Sequence, residues 1–391
     1  MKSRLLAVLF SALLLNFAAC GKREAPPAAG GEEVIKIGAV QPLTGPQAHL
    51  GKDNENGTRM AIDDANARGT TIGGKKVRFE LLSEDDQADP RTATIVAQKL
   101  VDAGVRGIIG HLNSGTTIPA AKIYYDAGIV QISPSATNPK YTEQGFKTAF
   151  RVMPNDVQQG RVLGDYAVTR LGAKKIAIID DRTAYGQGVA DQFEKAAKAA
   201  GAEIVAHEFT TDKSTDFMAI LTAVKAKKPD LLFFGGMDAQ GGPMIKQFKS
   251  LGMGAIFLTA DGGSTPEFIR LSGGAAEGAY SSLPGLPLDK MPGGKAFADR
   301  FSAKYGQIQL YAPYCYDAVG VMIAAMQKAG SSDPAKYQPA LAGIAYDGVT
   351  AKIRFDQKGD IKDGAITLYQ VKDGKWQMIE TVGGPAPASA K

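Results

Sequence analysis

The chain is short of the residues that most enzyme and metal sites require. Its 391 residues include 3 histidines, 2 cysteines and 1 tryptophan. His49, His111 and His207 are far apart and none stands in a metal-spaced cluster. Each is read as a single solvated or core histidine, and neither metal nor cofactor is expected. There is no G-x-S-x-G elbow, no phosphate loop G-x-x-x-x-G-K-S/T and no H-E-x-x-H, so no catalytic residue is nominated. Gly186-Gln187-Gly188 lacks the third glycine of a dinucleotide turn, Asp191 standing in its place, and reads as a loop entering a helix. Glu84-Asp85-Asp86 suits capping or solvation better than acid–base work. Cys20 and Cys315 are not expected to pair, and Cys315 reads as a small buried side chain. Long basic runs are missing too. The formal charge of +5 is spread along the chain, which argues against nucleic acid as a partner. Beyond the N-terminus no segment is long and apolar enough to cross a bilayer.

What is present describes an ordinary α/β protein: 44% hydrophobic residues, 22% charged and 46 glycines. The length is too great for one compact core, so two domains are expected. Lys2 and Arg4 precede an apolar stretch that ends at Ala19, which reads as an export signal over 1–19. Phe17-Ala18-Ala19-Cys20 is similar to a bacterial lipobox, with Phe17 where an aliphatic residue is usual, and makes Cys20 a lipidation site; the alternative is plain cleavage after a small residue. Residues 20–33, rich in Ala, Pro and Gly, then form a flexible tether.

The rhythm of the remainder is strand, helix, strand. Strands are expected over 35–40, 77–83, 107–109 and 129–132, with helices over 51–67, from Asp89-Pro90 onward, and over 118–127. After Phe150-Arg151-Val152 the rhythm restarts. Helices over 156–171, 188–200, 217–227 and 240–251 alternate with strands over 176–180, 204–208, 231–235 and 256–259. Then come a strand over 278–283, helices over 294–305 and 312–329, a strand over 349–355, and a hairpin of 366–372 with 375–379 over Asp373-Gly374. Late segments returning to both halves would make several strands cross between them as a hinge.

Two hydroxyl-rich loops stand out, at 113–117 and 133–138, each following a short apolar strand. A right-handed crossover puts both at the carboxyl edge of one sheet, where open α/β sheets bind ligands. Ser114, Thr137 and the N-terminus of a helix from Thr117 are suited to a carboxylate. Asp261, in the loop 259–264 of the second half, offers a countercharge, although a cap or turn role is equally compatible with local sequence. A carboxylate site opposite a carboxylate is what an α-amino acid zwitterion needs.

The segments IKIGAVQPLTGPQAHLGKDNENG, EDDQADPRTA, GHLNSGTTIPA, ISPSATNP, IAIIDDRTAYGQG, FFGGMDAQG and FDQKGD together resemble the branched-chain amino acid binding proteins of ABC importers. These have the type I periplasmic-binding-protein fold. The resemblance runs from Ile35 to Asp360 and implies two doubly wound Rossmann-like α/β domains joined by a multi-strand hinge. It implies that Ser114 and nearby amides hold the substrate carboxylate, that Ser135 and Thr137 hold the amino group and carboxylate, and that Asp261 completes the ammonium site in place of a longer glutamate. Tyr185 falls near the closed cleft and Tyr311 beside the side-chain pocket. Leu50 and Met237 stand where some members carry aromatics, and a cysteine pair of some members is Ala88 and Asn113 here. Leu50, Leu112, Met237 and Tyr311 would therefore line a pocket for an aliphatic side chain of the leucine, isoleucine or valine type.

The resulting expectation is an exported, non-catalytic and monomeric receptor. It would reside in the periplasm, touch the membrane only through a lipid anchor, and deliver an amino acid to an ABC permease and its ATPase subunits. The domains are expected at 34–154 plus 285–363 and at 155–284 plus 364–382, with a disordered tail over 383–391. A sensor of the same fold for a small amide or another amino acid is the alternative. An enzyme using Ser114 or Asp261 lacks an activating histidine or lysine at recognisable spacing.

Overall fold

A computed structural model describes residues 32–384; the expected signal peptide, Cys20, nearly all of the tether, and 385–391 lie outside them. From Glu33 on, the described residues form one compact unit. Its first sheet is built from β1 (Glu33–Gln41), α1 (Ala48–Ala67), β2 (Thr71–Ile72), β3 (Lys75–Asp85), α2 (Pro90–Asp102), β4 (Ile108–Gly110), α3 (Ser114–Asp126), β5 (Gln131–Ser133), α4 (Lys140–Glu143) and β6 (Ala149–Arg151). The strand order is β2-β3-β1-β4-β5-β6, parallel except for β2. Helices cover both faces, which is why β1 reads as a nearly continuous apolar run. Ile35 and Ile37 enter one core cluster, while Val40 joins Ile108 in another on the opposite face.

The second sheet collects α5 (Asp156–Thr169), β7 (Lys175–Asp180), α6 (Ala184–Ala199), β8 (Glu203–Phe209), α7 (Met218–Ala226), β9 (Leu231–Gly235), α8 (Asp238–Ser250), β10 (Ile256–Thr259), α9 (Pro266–Ser272) and β11 (Tyr280–Pro284). The chain then returns to the first sheet with α10 (Gly294–Tyr305), α11 (Ala312–Ala329), which packs along α1, and α12 (Pro334–Ala342). A small hairpin of β12 (Tyr346–Asp347) and β13 (Lys352–Ile353) follows. Finally β14 (Ala365–Lys372) and β15 (Lys375–Gly383) add antiparallel edges to the second sheet, ordered β15-β14-β11-β10-β9-β7-β8. The expected pair of doubly wound sheets is present, and we call each sheet with its helices a lobe.

Winding direction reverses between β1 and β4 in one lobe and between β7 and β9 in the other. Loops leaving the carboxyl ends of strands at such points form the natural crevice of an open sheet. The close packing of α5 on α6 comes from Gly160 and Gly164. A Cβ there would lie 2.7 Å from the backbone nitrogens of Phe193 and Ala197, respectively. That approach brings the start of α5 beside the start of α6.

Several expected boundaries are corrected. The stretch 113–117 is not a free loop, because α3 begins at Ser114 with Asn113 at its N-cap position. Likewise Gly186-Gln187-Gly188 lies inside α6, which Thr183 caps through Gly186 N at 3.0 Å. The expected strand over 349–355 shrinks to β13 and a Phe355–Ile361 bridge. The N–H groups of Val349 and Thr350 instead donate to the Asp317 carboxylate, at 2.7 Å each. Glu33 belongs to β1 rather than to the tether, and Gly383 to β15 rather than to the tail. Helices α9 and α12 were unexpected, yet each opens as α2 does, with a capping side chain (Thr265, Asp333) before a proline.

Candidate functional site

One wall of the cleft is the pair of hydroxyl-bearing turns after β4 and β5. Ser114 Oγ accepts the Asn138 N–H at 3.1 Å, and Ser135 Oγ donates to the Leu112 carbonyl at 2.9 Å. Ser133 Oγ donates to the His111 carbonyl at 3.1 Å and accepts the Ala136 N–H at 2.9 Å. The two turns are thus stitched together, with Ser114, Ser135 and Thr137 all buried. The first N–H groups of α3 point out of its N-terminus, the end of a helix that favours anions.

Behind this wall lies Arg151, fully buried at the end of β6. Its Nη1 donates to the carbonyls of Ala136 and Asn138 at 2.8 and 2.9 Å, and its Nε reaches Asp360 Oδ1 at 3.0 Å. His111 is buried too, with Nδ1 2.8 Å from Asp86 Oδ2 and Nε2 3.0 Å from the Tyr124 hydroxyl. Asp86 therefore belongs to the interior rather than to a solvated acidic run. Asp85 does the capping, accepting from Leu43 N and Gln87 N at 2.8 and 2.9 Å.

The opposite wall centres on Asp261, which opens a short turn of 3-10 helix after β10. Its Oδ1 accepts from Gln159 Nε2 at 3.0 Å and the Tyr185 hydroxyl at 2.8 Å, and its Oδ2 accepts from the Tyr311 hydroxyl at 2.6 Å. Burial pushes both phenols well above their ordinary range, so each keeps its proton to donate. Burial also raises the Asp261 carboxyl, against the pull of its three donors. Among the described residues no Lys, Arg or His forms an ion pair with it. A buried carboxylate without a cation is costly, and a ligand ammonium removes that cost.

Tyr311 reaches Asp261 from the first lobe because Asp53 holds its backbone. The Asp53 carboxylate accepts the N–H groups of Gln309, Leu310, Tyr311 and Ala312 at 2.8, 3.0, 2.9 and 2.9 Å. Asn138 Nδ2 also crosses the cleft to the Ala184 carbonyl. Leu50, Leu112, Tyr185, Met237 and Tyr311 join one buried apolar cluster. Tyr185 and Met237 further border a groove of about 500 Å³ at the mouth of the cleft, with Gln47, Asn113 and Asp181. Of the nominated residues, Ser114, Ser135 and Thr137 thus gather in the first lobe, while Tyr185 of the second lobe and Tyr311 of the first meet on Asp261.

Sequence reasoning missed Gln159, Arg151, Asp53 and the His49–Asp238 pair. The segment 156–159 reads locally as a helix opening, and Arg151 as a strand end. His49 Nε2 lies 2.7 Å from Asp238 Oδ2, spanning the lobes, while Thr265 Oγ1 donates to the same oxygen at 2.6 Å. His49 is thus a contact between lobes, not a solvated side chain. Burial works against its charged form, yet the hydrogen bond and charge of Asp238, with Glu267 and Asp53 adding, hold it above its ordinary value. A raised histidine stabilises the folded, closed form fully below its unfolded value, and that contribution is lost as pH rises through the folded value. A partly exposed pair of this kind contributes about 1 kcal/mol or less, or roughly 1 °C in Tm. His49→Gln is expected to lower Tm by that amount at pH 6 and by less at pH 9, as read by calorimetry; an equal loss at both pH values argues against the charge.

A family model described as "Periplasmic binding protein" matches residues 34–375. The chain belongs to that family. Among its relatives, the amino acid binding protein of Pseudomonas aeruginosa is 36% identical over 349 residues, covering 88% of this chain and 92% of that one. The leucine-, isoleucine-, valine-, threonine- and alanine-binding protein of the same organism is 34% identical over 339 residues, covering 86% and 90%. Of solved structures, a branched-chain amino acid transporter substrate-binding protein from Streptococcus pneumoniae, in complex with isoleucine, is similar with a TM-score of 0.82. It is 28% identical over 90% of this chain and 100% of that one. As a periplasmic binding protein the chain is a substrate-binding receptor by family, and the periplasm is its compartment.

Proposed function

We propose that this periplasmic binding protein is the non-catalytic receptor of an ABC importer and closes around an aliphatic α-amino acid. The observation that carries the reading is Asp261: a buried carboxylate with three neutral donors and no cation, facing a helix N-terminus and a hydroxyl cluster. Those are the complements of the two ends of a zwitterion. Ser114 and the first N–H groups of α3 take the carboxylate, Ser135 and Thr137 take the amino group and carboxylate, and Asp261 takes the ammonium charge. Leu50, Leu112, Met237, Tyr185 and Tyr311 surround an aliphatic side chain of the leucine, isoleucine or valine type. Contacts from both lobes favour the closed state, which an importer's permease and ATPase subunits would recognise.

We further propose lobes of 34–154 plus 285–363 and 155–284 plus 364–382, and a monomer tethered through a lipid on Cys20. Calorimetric titration with the twenty amino acids tests the central claim. Micromolar or tighter binding of leucine, isoleucine or valine is expected, and no binding by any aliphatic amino acid overturns it. Ser114→Ala is expected to weaken the tightest of these by about 10- to 100-fold, the loss of one hydrogen bond to a charged group.

A further inference from the structure

A second hollow, of about 310 Å³, is lined by none of the residues nominated for the amino acid. Leu288 lines it from the stretch between β11 and α10, and Ile308 and Leu310 line it from the turn between α10 and α11. Leu310 is the residue before Tyr311. Pro266, at the start of α9, and Tyr369 and Trp376, on β14 and β15, line the hollow from the second lobe. The two lobes therefore build it together. Of these six residues all but Leu310 are half-buried, so the hollow presents apolar surface to water.

Among the described residues that line it none carries a charge, which disfavours an ion or a zwitterion as occupant. Its aromatic side chains differ in their hydrogen bonds. The Trp376 indole is fixed, donating Nε1–H to the Thr265 carbonyl at 3.0 Å and packing on Phe268 with ring centroids 5.6 Å apart. The Tyr369 hydroxyl has no hydrogen-bond partner among the described residues. Burial, with the charge of Asp289 adding, keeps it protonated, so it is a neutral donor. Two aromatic rings, apolar walls and one free hydroxyl suit a flat, neutral molecule with a single polar group. The volume stands at the low end of small-molecule sites, about 300–1,000 Å³, and favours a compact ring over an extended chain.

We propose that this hollow is a second ligand site, for a neutral aromatic alcohol or phenol, and that its occupancy favours the closed form. The ring covers the apolar lining, and its oxygen accepts the hydrogen bond that Tyr369 has to donate. An occupant that touches both lobes stabilises the arrangement in which they meet. It also touches Leu310, whose N–H is held by Asp53 Oδ2 together with that of Tyr311, at 3.0 and 2.9 Å. One carboxylate thus joins the second site to the residue that reaches Asp261. The coupling to amino-acid affinity rests on the proposed closure around an amino acid; the site itself does not.

Trp376 is the only tryptophan of the chain, so its fluorescence reads the hollow directly. The test titrates benzyl alcohol, which absorbs at shorter wavelengths than indole, into protein saturated with whichever of leucine, isoleucine or valine binds most tightly. A saturable change is expected, with a Kd on the order of 0.1–1 mM, and none with benzoate. Tyr369→Phe is expected to weaken the response about 2- to 10-fold and Leu288→Glu to abolish it, both with the amino-acid affinity unchanged when benzyl alcohol is absent. In calorimetry, saturating benzyl alcohol is expected to tighten amino-acid binding about 5-fold or more, and the amino acid to tighten benzyl alcohol by the same factor. A response that the amino acid displaces, or one that Leu288→Glu retains, puts the probe elsewhere and overturns the site. No saturable response overturns it in favour of an apolar protein contact. Should Leu288→Glu not fold, Tyr369→Phe and the contrast with benzoate decide. An unchanged amino-acid affinity overturns the coupling. Failure of all three amino acids to bind overturns the amino-acid reading alone, and the same fluorescence titration without them decides the site.

Discussion

Asp261→Ala is expected to abolish amino-acid binding at concentrations where the native protein saturates. Removing one partner of a buried charge pair costs about 3–5 kcal/mol, or roughly 10²- to 10³-fold or more in affinity. Here the loss is compounded, because the hydroxyls of Tyr185 and Tyr311 and the amide of Gln159 all lose their acceptor. Asp261→Asn separates charge from shape. It keeps the volume and an acceptor oxygen, so the ligand-free protein should be at least as stable, while binding is still lost by about 100-fold or more. Titration calorimetry reads the first quantity and thermal unfolding the second. If the asparagine variant binds within tenfold of the native protein, Asp261 is a turn residue and the ammonium site lies elsewhere.

Arg151→Met is expected to produce the largest loss of stability. The guanidinium is fully buried and its side-chain partner Asp360 is only 13% exposed. Deleting the cation leaves an uncompensated carboxylate and orphans the carbonyls of Ala136 and Asn138, a cost of about 3–5 kcal/mol. For a chain of this size that corresponds to a fall in Tm of roughly 4–7 °C. Those two carbonyls flank Thr137, so the loss should extend to ligand affinity. Asp360→Asn keeps an acceptor and should cost much less. A Tm within 2 °C of native for Arg151→Met, by calorimetry, contradicts this account.

The strand–helix alternation was legible in the sequence because buried parallel strands are dense apolar runs. Leu231–Gly235 and Ile256–Thr259 occur where the pattern puts them. The hydroxyl clusters and Asp261 stand out in the sequence as residues whose chemistry matches a zwitterion, whereas Tyr185 and Tyr311 stand out only through the family resemblance. Helix starts were less legible. Ser114 to Thr117 and Ala184 to Gly188 consist mostly of small and hydroxyl residues, which resemble loops because such residues compete with the helix for backbone hydrogen bonds or add backbone freedom. Arg151 escaped for a different reason. Its importance lies in what surrounds it, and its partners lie as near as Thr142 and as far as Asp360.

The late return of α10 to α12 to the first sheet has a consequence for how the protein is made. Arg151 and Asp360 are 209 residues apart, as is almost the case for Asn155 and Asp360 at 205. At roughly 5–20 residues per second, translation of that interval takes about 10–40 s. During it the first sheet has β1 to β6 but neither the helix that covers α1 nor the carboxylate that neutralises Arg151. A nascent chain therefore cannot lock its first lobe before nearly all of it has been synthesised. That delay keeps it pliable for threading through an export channel, and deletion of the last quarter of the chain should leave neither lobe able to mature.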